Sequence, residues 1–338
     1  MSDGRHSDRS GAVRPVVVVG GGIAGFACAR VLHNAGTAVR VIDRGARIGG
    51  RMAVRLEALG DREHPVDIGA SYFTVRDPDF AAVADGWRRR GLADVWTDTF
   101  AVLSPDGPAG TSTGPARWSA THGLGSLVQD LAIGIPVTTG VEVEEVDLDG
   151  GLAVDGAPAA AVVLAMPEPE AYDLLPEPIA ESLGLGRGLD WTPTLAVWAG
   201  WSQRWWGELD GAFVDGSPVL SWIADDGRRR GDGAPVLVAH VTGVFAGARL
   251  DDPDAAVPPV LAELGALLAP GRPAPEPLWA RVHRWSLAAP RHPHPAPYAL
   301  HEALVGVCGD AWGPQPRIEQ AWTSGHRLGT ELLARLGG

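Results

Sequence analysis

Gly20, Gly22 and Gly25 stand in G-x-G-x-x-G spacing, and Asp43 follows eighteen residues beyond the last of them. Residues of these types at this spacing do phosphate and ribose chemistry. Gly20 makes a tight turn, Gly22 lets backbone approach a pyrophosphate, and Gly25 lets a helix pack close to the strand before it. Ile23 and Ala24 open that helix, so their N–H groups and its partial positive charge face the anion. Asp43 is placed to accept both hydroxyls of a ribose, with Arg44 beside it. Downstream, Gly49-Gly50-Arg51 combines close backbone approach at Gly50 with a cation able to make charge-assisted bonds to phosphate. By spacing alone the first turn suits NAD as readily as FAD.

The elements that must position these residues are legible around them. Val16-Val17-Val18-Val19 reads as a buried parallel strand, Ile23–Leu32 as the helix after the turn, and Ala38–Ile42 as a second strand ending at Asp43. Asp77 and Pro78 form an N-cap and first-turn pair for a helix over 79–90, whose Arg88-Arg89-Arg90-Gly91 end suits the helix dipole better than a binding patch. Strands are expected around Val95–Leu103, Pro136–Thr139, Val141–Val146 and Ala161–Met166, the last ended by Pro167, then at Leu195–Trp201, Pro218–Ile223, Val236–Val241 and Arg281–Ser286. A last helix opens near Ile318 with an apolar stripe through Ala321, Trp322, Gly325, Leu328 and Leu332. Glu319 in its first turn has a dipole explanation.

Composition narrows the class. The chain has 338 residues, 45% hydrophobic and 20% charged, enough for two domains of an ordinary globular protein. Its net charge of −13 argues against nucleic acid or an anionic membrane as partner. All 28 basic residues are Arg, which removes Schiff-base chemistry, pyridoxal attachment and a phosphate-loop Lys. Cys28 and Cys308 read as small buried apolar residues rather than a disulfide or metal pair, and no metal site is expected. Residues 1–14 are polar, with no secretory apolar core, and are expected to be a disordered tail; the cytoplasm is the expected location.

The Gly49-Gly50-Arg51 stretch resembles the Gly-Gly motif of FAD-dependent amine oxidases and phytoene desaturases. Gly69-Ala70-Ser71-Tyr72-Phe73-Thr74-Val75-Arg76 resembles a segment of the renalases, the smallest branch of that superfamily, and the likeness runs from Val16 to about Leu333. It implies an α/β Rossmann-like FAD-binding domain of the glutathione-reductase type, and a smaller α+β substrate domain on a mixed or antiparallel sheet. The expected division gives residues 15–77, 123–169 and 281–338 to the first domain, and 78–122 and 170–280 to the second.

The resemblance also implies noncovalent FAD, with space for the flavin beside Gly69 and Ala70, an adenine clamp at Val143, a hydrogen bond from the ribityl or phosphate region to Asp310, and the helix start at Ile318 facing the flavin pyrimidine edge. Tyr72, Trp222 and His240 become the substrate-site candidates. The implied reaction is oxidation of 2- and 6-dihydro isomers of NAD(P) to NAD(P)⁺, with dioxygen as electron acceptor and hydrogen peroxide as product. Aromatisation drives that transfer, so it requires no acid–base residue. The competing readings are a flavin amine oxidase, a desaturase-like enzyme of specialised metabolism, and an FAD-binding protein without fast turnover. Many amine oxidases hold a water near the flavin with a Lys, which this chain lacks.

Overall fold

Val16–Val19 forms the strand around which one sheet is built, and its alternation sets two cores. In the computed structural model, which describes residues 13–107, 109–188 and 190–337, Val16 and Val18 pack with the helix Ile23–Asn34 and the last helix Ile318–Leu336. Val17 and Val19 face the opposite way, onto Val146, Val154 and Trp312. A strand buried on both faces tolerates no polar residue, hence the four valines. Its neighbours are Val39–Asp43 and Ala161–Leu164, both parallel; Val305–Val307 and Val137–Thr139 extend the sheet, and Ala299–Leu300 closes one edge antiparallel.

The last helix lies directly on the first. A Cβ on Gly325 would sit 1.9 Å from the Ala24 carbonyl oxygen, and one on Gly329 2.9 Å from that of Cys28. Two glycines four residues apart thus let the backbones touch.

The second sheet has eight strands, in spatial order Trp279–Pro290, Trp191–Gly200, Val236–Val241, Leu220–Asp225, Gly211–Val214, Ala93–Leu103, Gly110–Ala120 and Phe73–Thr74. All its pairings are antiparallel except that of Gly211–Val214 with Ala93–Leu103. One face is covered by Gly243–Gly247 and Val257–Leu268, the other meets the hairpin Val54–Leu59/Arg62–Asp67 and the segment after it.

Three expectations change. Arg281–Ser286 does not rejoin the nucleotide-binding sheet; it lies in the edge strand Trp279–Pro290, paired along its length with Trp191–Gly200, so the chain returns only at Ala299. Phe73–Thr74 likewise belongs to the eight-stranded sheet, through Trp118 and Arg117. Val141–Glu145 is not a strand: Gly140, at φ +71°, turns the chain, and the Asp155 carboxylate takes the Glu144 and Glu145 N–H groups at 2.9 and 3.0 Å in place of a ladder. The tail over residues 1–12 lies outside the described residues. Both cysteines are buried and free; burial pushes the Cys308 thiol up to about 12 and raises Cys28 as well.

Candidate active site

The glycine turn has the shape its sequence requires. Gly20 has φ +109°, and a Cβ there would lie 2.5 Å from the Ala165 carbonyl oxygen. A Cβ on Gly25 would lie 2.1 Å from the Gly20 oxygen, so strand, turn and helix are packed to contact. Gly22 differs: its Cβ would meet nothing within 4 Å. Gly22 is also the N-cap of the first helix, and no side chain caps it. An uncapped helix start, with Ile23 and Ala24 buried behind it and open space in front, fits an anionic diphosphate.

Asp43 ties the two sides of this turn. One carboxylate oxygen accepts the Gly21 N–H and the other the Gly45 N–H, each at 2.6 Å. Its remaining lone pairs are available to ribose hydroxyls. Arg44 is not brought to the turn. It reaches out to Glu170 at 2.6 Å and Glu142 at 3.9 Å on the surface. Val143 is buried in the apolar core beneath the sheet.

Arg51 is where the separated motifs converge. Its guanidinium donates to the Asp310 carboxylate at 2.6 and 3.0 Å and to the Ala288 carbonyl at 3.1 Å, and lies 5.0 Å from the Trp191 ring centroid. Its own carbonyl accepts the Ala70 N–H at 2.8 Å, and a Cβ on Gly69 would collide with that carbonyl at 2.0 Å. Gly49 and Gly50, at φ +129° and +53°, deliver Arg51 to this place, with the Gly49 N–H held by the Gly21 carbonyl. Ser324, which the sequence reading passed over, holds the Gly309 N–H at 3.0 Å from the last helix. Ile318 begins that helix, and Glu319 beside it accepts the N–H groups of Arg76 and Asp77, the latter at 2.7 Å. Glu319 therefore anchors the segment that follows Tyr72 as well as complementing the helix dipole.

Comparison with known proteins decides the family. The pattern described as an NAD(P)-binding Rossmann-like domain matches residues 18–87, and that of the flavin containing amine oxidoreductases matches residues 81–328, well over half of the chain. The chain belongs to the flavin containing amine oxidoreductases. Its cofactor is FAD, and the open, uncapped turn at Gly22 fits that group's diphosphate.

Solved structures share the fold across nearly the whole chain. A candidate protoporphyrinogen oxidase from Exiguobacterium sp. 255-15 is 15% identical, with TM-score 0.73, covering 95% of this chain and 99% of that one. Putrescine oxidase bound to putrescine gives 17% and 0.69, with 95% and 99% coverage. Cyclohexylamine oxidase from Brevibacterium oxydans IH-35A gives 14% and 0.69, with 96% and 100% coverage.

On the other side of Gly69 and Ala70 stands the aromatic wall of this oxidoreductase. Tyr72 and Trp222 have ring centroids 5.8 Å apart, and Phe100 lies 5.3 Å from the first and 4.6 Å from the second. His240 is the cross-strand partner of Trp222, so the three candidates share one patch. Phe100, Phe213 and Trp96 complete it; Ala93–Leu103 is broken by bulges and its burial does not alternate, so periodicity gave no signal for Phe100. Burial lowers the His240 imidazole to about 4, partly offset by the Gly69 backbone, so the ring is neutral near pH 7. Ser71 Oγ, Trp96 Nε1, Trp222 Nε1 and His240 Nε2 are buried without a partner among the described residues. Buried polar atoms are normally satisfied, so these four leave hydrogen-bonding capacity at the wall, as Trp205 Nε1 and Trp312 Nε1 do elsewhere.

Behind the wall lies a buried ionic cluster. Arg229 donates to the Ser71 carbonyl at 2.8 Å, pairs with Asp226, and lies 3.3 Å from Asp67. Asp67 accepts the Leu124 N–H at 2.6 Å, and Ser119 holds the Arg229 carbonyl at 2.9 Å. Burial pushes Asp67 up to about 7, against the pull of Leu124 N–H and Arg230. Arg229 thereby fixes the turn that carries Tyr72 to the hairpin and to the eight-stranded sheet.

Proposed function

We propose that this flavin-dependent enzyme oxidises isomeric dihydronicotinamides, the 2- and 6-dihydro forms of NAD(P), to NAD(P)⁺. In balance, one dihydronicotinamide, one dioxygen and one proton give NAD(P)⁺ and hydrogen peroxide. The observation that carries the reading is the Tyr72–Trp222–His240 wall: aromatic, with rings tilted to one another, a neutral imidazole and unmet hydrogen-bonding atoms. A flat ring bearing a carboxamide matches it, since aromatic faces take the ring and buried polar atoms take the amide.

FAD, when bound, supplies the two-electron acceptor and passes the electrons to dioxygen. The chain's residues do the positioning. Gly22, Ile23 and Ala24 present N–H groups to the diphosphate, Asp43 takes the ribose, and Asp310, clamped by Arg51, accepts from the polyol region. Tyr72 and Trp222 stack the substrate ring and exclude water, while His240 accepts or donates one hydrogen bond without carrying charge. No proton need be moved by a side chain, because the ring becomes aromatic on oxidation. We place the enzyme in the cytoplasm; no described helix is long and apolar enough to cross a membrane.

A second reading, oxidation of a small amine, draws on the fold shared with putrescine and cyclohexylamine oxidases. Anaerobic stopped flow separates the two. Mixing holoenzyme with 6-dihydro-NAD should bleach the flavin within seconds, while putrescine and cyclohexylamine should not. Bleaching by an amine, with none by any dihydronicotinamide, overturns the proposal.

A further inference from the structure

We infer that Arg76 and Arg317 form an anion-binding rim at the end of the aromatic wall, which takes the phosphate of a nucleotide substrate. The inference rests on the reading of a dihydronicotinamide substrate and names how its charged part is held. Side chains alternate along the segment from Tyr72. Phe73 turns into the core against Phe80, Trp87 and Trp118, and Val75 packs on the same core. Tyr72 turns the opposite way, onto Phe100 and Trp222. Thr74 is registered with Arg117, whose guanidinium lies 4.0 Å from the Phe100 centroid and 5.8 Å from that of Tyr72, so it belongs to the Tyr72 side. By the same period of two, Arg76 continues that side. The line from wall to rim reads Tyr72, Thr74, Arg76, a span of at most ~13 Å.

The second cation comes from the far end of the chain. Arg317 is the N-cap of the last helix, and Glu319 two residues on grips the Arg76 and Asp77 N–H groups. That grip places the two arginines side by side. Neither guanidinium has an ion pair or hydrogen bond among the described residues, whereas Arg117 and Arg229 on the same wall are engaged. The Arg317 pKa is lowered by burial and then by Arg76, with Glu319 and then Tyr72 acting on it in the opposite sense. Two adjacent cations share the single Glu319 carboxylate, whose oxygen is already taken up by two backbone N–H groups, so an anion bridging both guanidiniums adds the second counter-charge. The location matters because the protein as a whole carries −13, which repels a dinucleotide; a local cation pair is what makes its approach favourable. The Glu319 carboxylate beside them is committed to backbone N–H groups.

The test uses holoenzyme and two ligands that differ only by a phosphate: nicotinamide mononucleotide and nicotinamide riboside. Binding is followed by the flavin difference spectrum and by calorimetry. Native protein should prefer the mononucleotide at least tenfold, and the preference should shrink as salt is raised. R76A and R317A should each cut the preference severalfold and together abolish it, R76K should restore part of it, and R281A, on the edge strand, should leave it unchanged. Equal binding of both ligands by native protein, or a preference that survives R76A/R317A, overturns the inference. Failure of every dihydronicotinamide to reduce the flavin overturns the oxidation reading alone, since the binding preference is measured without turnover.

Discussion

Asp43 and His240 are single residues whose roles can be separated from stability. Asp43 bonds two N–H groups of the turn, and with the ribose role proposed for it Asp43→Ala should weaken FAD retention tenfold or more, read by dialysis against a fluorescence assay for free flavin. His240 carries a linkage signature. Its folded pKa of about 4 lies below the unfolded value of 6.5, so the unfolded chain binds a proton that the native one refuses. The stability from this group is complete above pH 6.5 and is lost as pH falls from 6.5 toward 4, by up to ~3 kcal/mol. His240→Phe should flatten the fall in denaturation midpoint between pH 7.5 and 4.5; an unchanged slope would place the ring in water. At this scale the sequence was informative wherever chemistry forces a residue type. Gly20 and Gly25 are dictated by backbone clearance, and Asp43 and Arg51 make charged bonds that a neutral residue could not, so their types speak; Gly22 has room for a Cβ, and its type speaks only through the space before it. Phe100, Ser71 and Trp96 are ordinary strand and turn residues, and only the folded sheet brings them to Tyr72. Adjacency to Asp43 says nothing about which way the long Arg44 side chain leaves the turn, and here it reaches Glu170.

At the scale of elements, the glycines divide into those that serve packing and those that serve a ligand. Gly325→Val would drive two methyl groups toward the Ala24 carbonyl, where even a Cβ sits at 1.9 Å, and should cost more than ~2 kcal/mol of stability by forcing the last helix off the first. Gly22→Ala adds a methyl to open space and should leave the unfolding free energy of the apoprotein within ~1 kcal/mol of native, yet lower FAD affinity at least tenfold. Equal FAD retention in G22A would mean that the turn does not carry the diphosphate. Periodicity located the nucleotide-binding strands within a residue or two, because a strand buried on both faces leaves an unbroken apolar run. Periodicity gave Arg281–Ser286 as a strand but not its sheet, which the family resemblance placed in the first domain; an edge strand of half-exposed residues carries no mark of which sheet it joins, and its pairing is with Trp191–Gly200.

Across the whole molecule, Arg229 and Arg51 hold the two sheets in one register. Arg229 is fully buried between Asp67 of the hairpin and Asp226 of the eight-stranded side, and it grips the Ser71 carbonyl under the wall. Removing it leaves buried Asp67 without its direct cation and Asp226 with Arg230 alone. Arg229→Ala should therefore destabilise by ~3–5 kcal/mol in urea denaturation, and Arg229→Lys, which keeps the charge but loses the fork, by less.

The clamp of Arg51 on Asp310 has a further consequence for how the protein is made. The two residues are 259 apart in sequence, and the central strand near the start waits for Ala161–Leu164 before it is flanked on both sides. A nascent chain must therefore carry its glycine turn, complete in itself, for almost the entire time of synthesis before Asp310 and the last helix emerge to close the pocket around it. Cofactor loading belongs to the finished chain, and a ribosome-stalled product ending before residue 310 should leave the tunnel without flavin however long it waits.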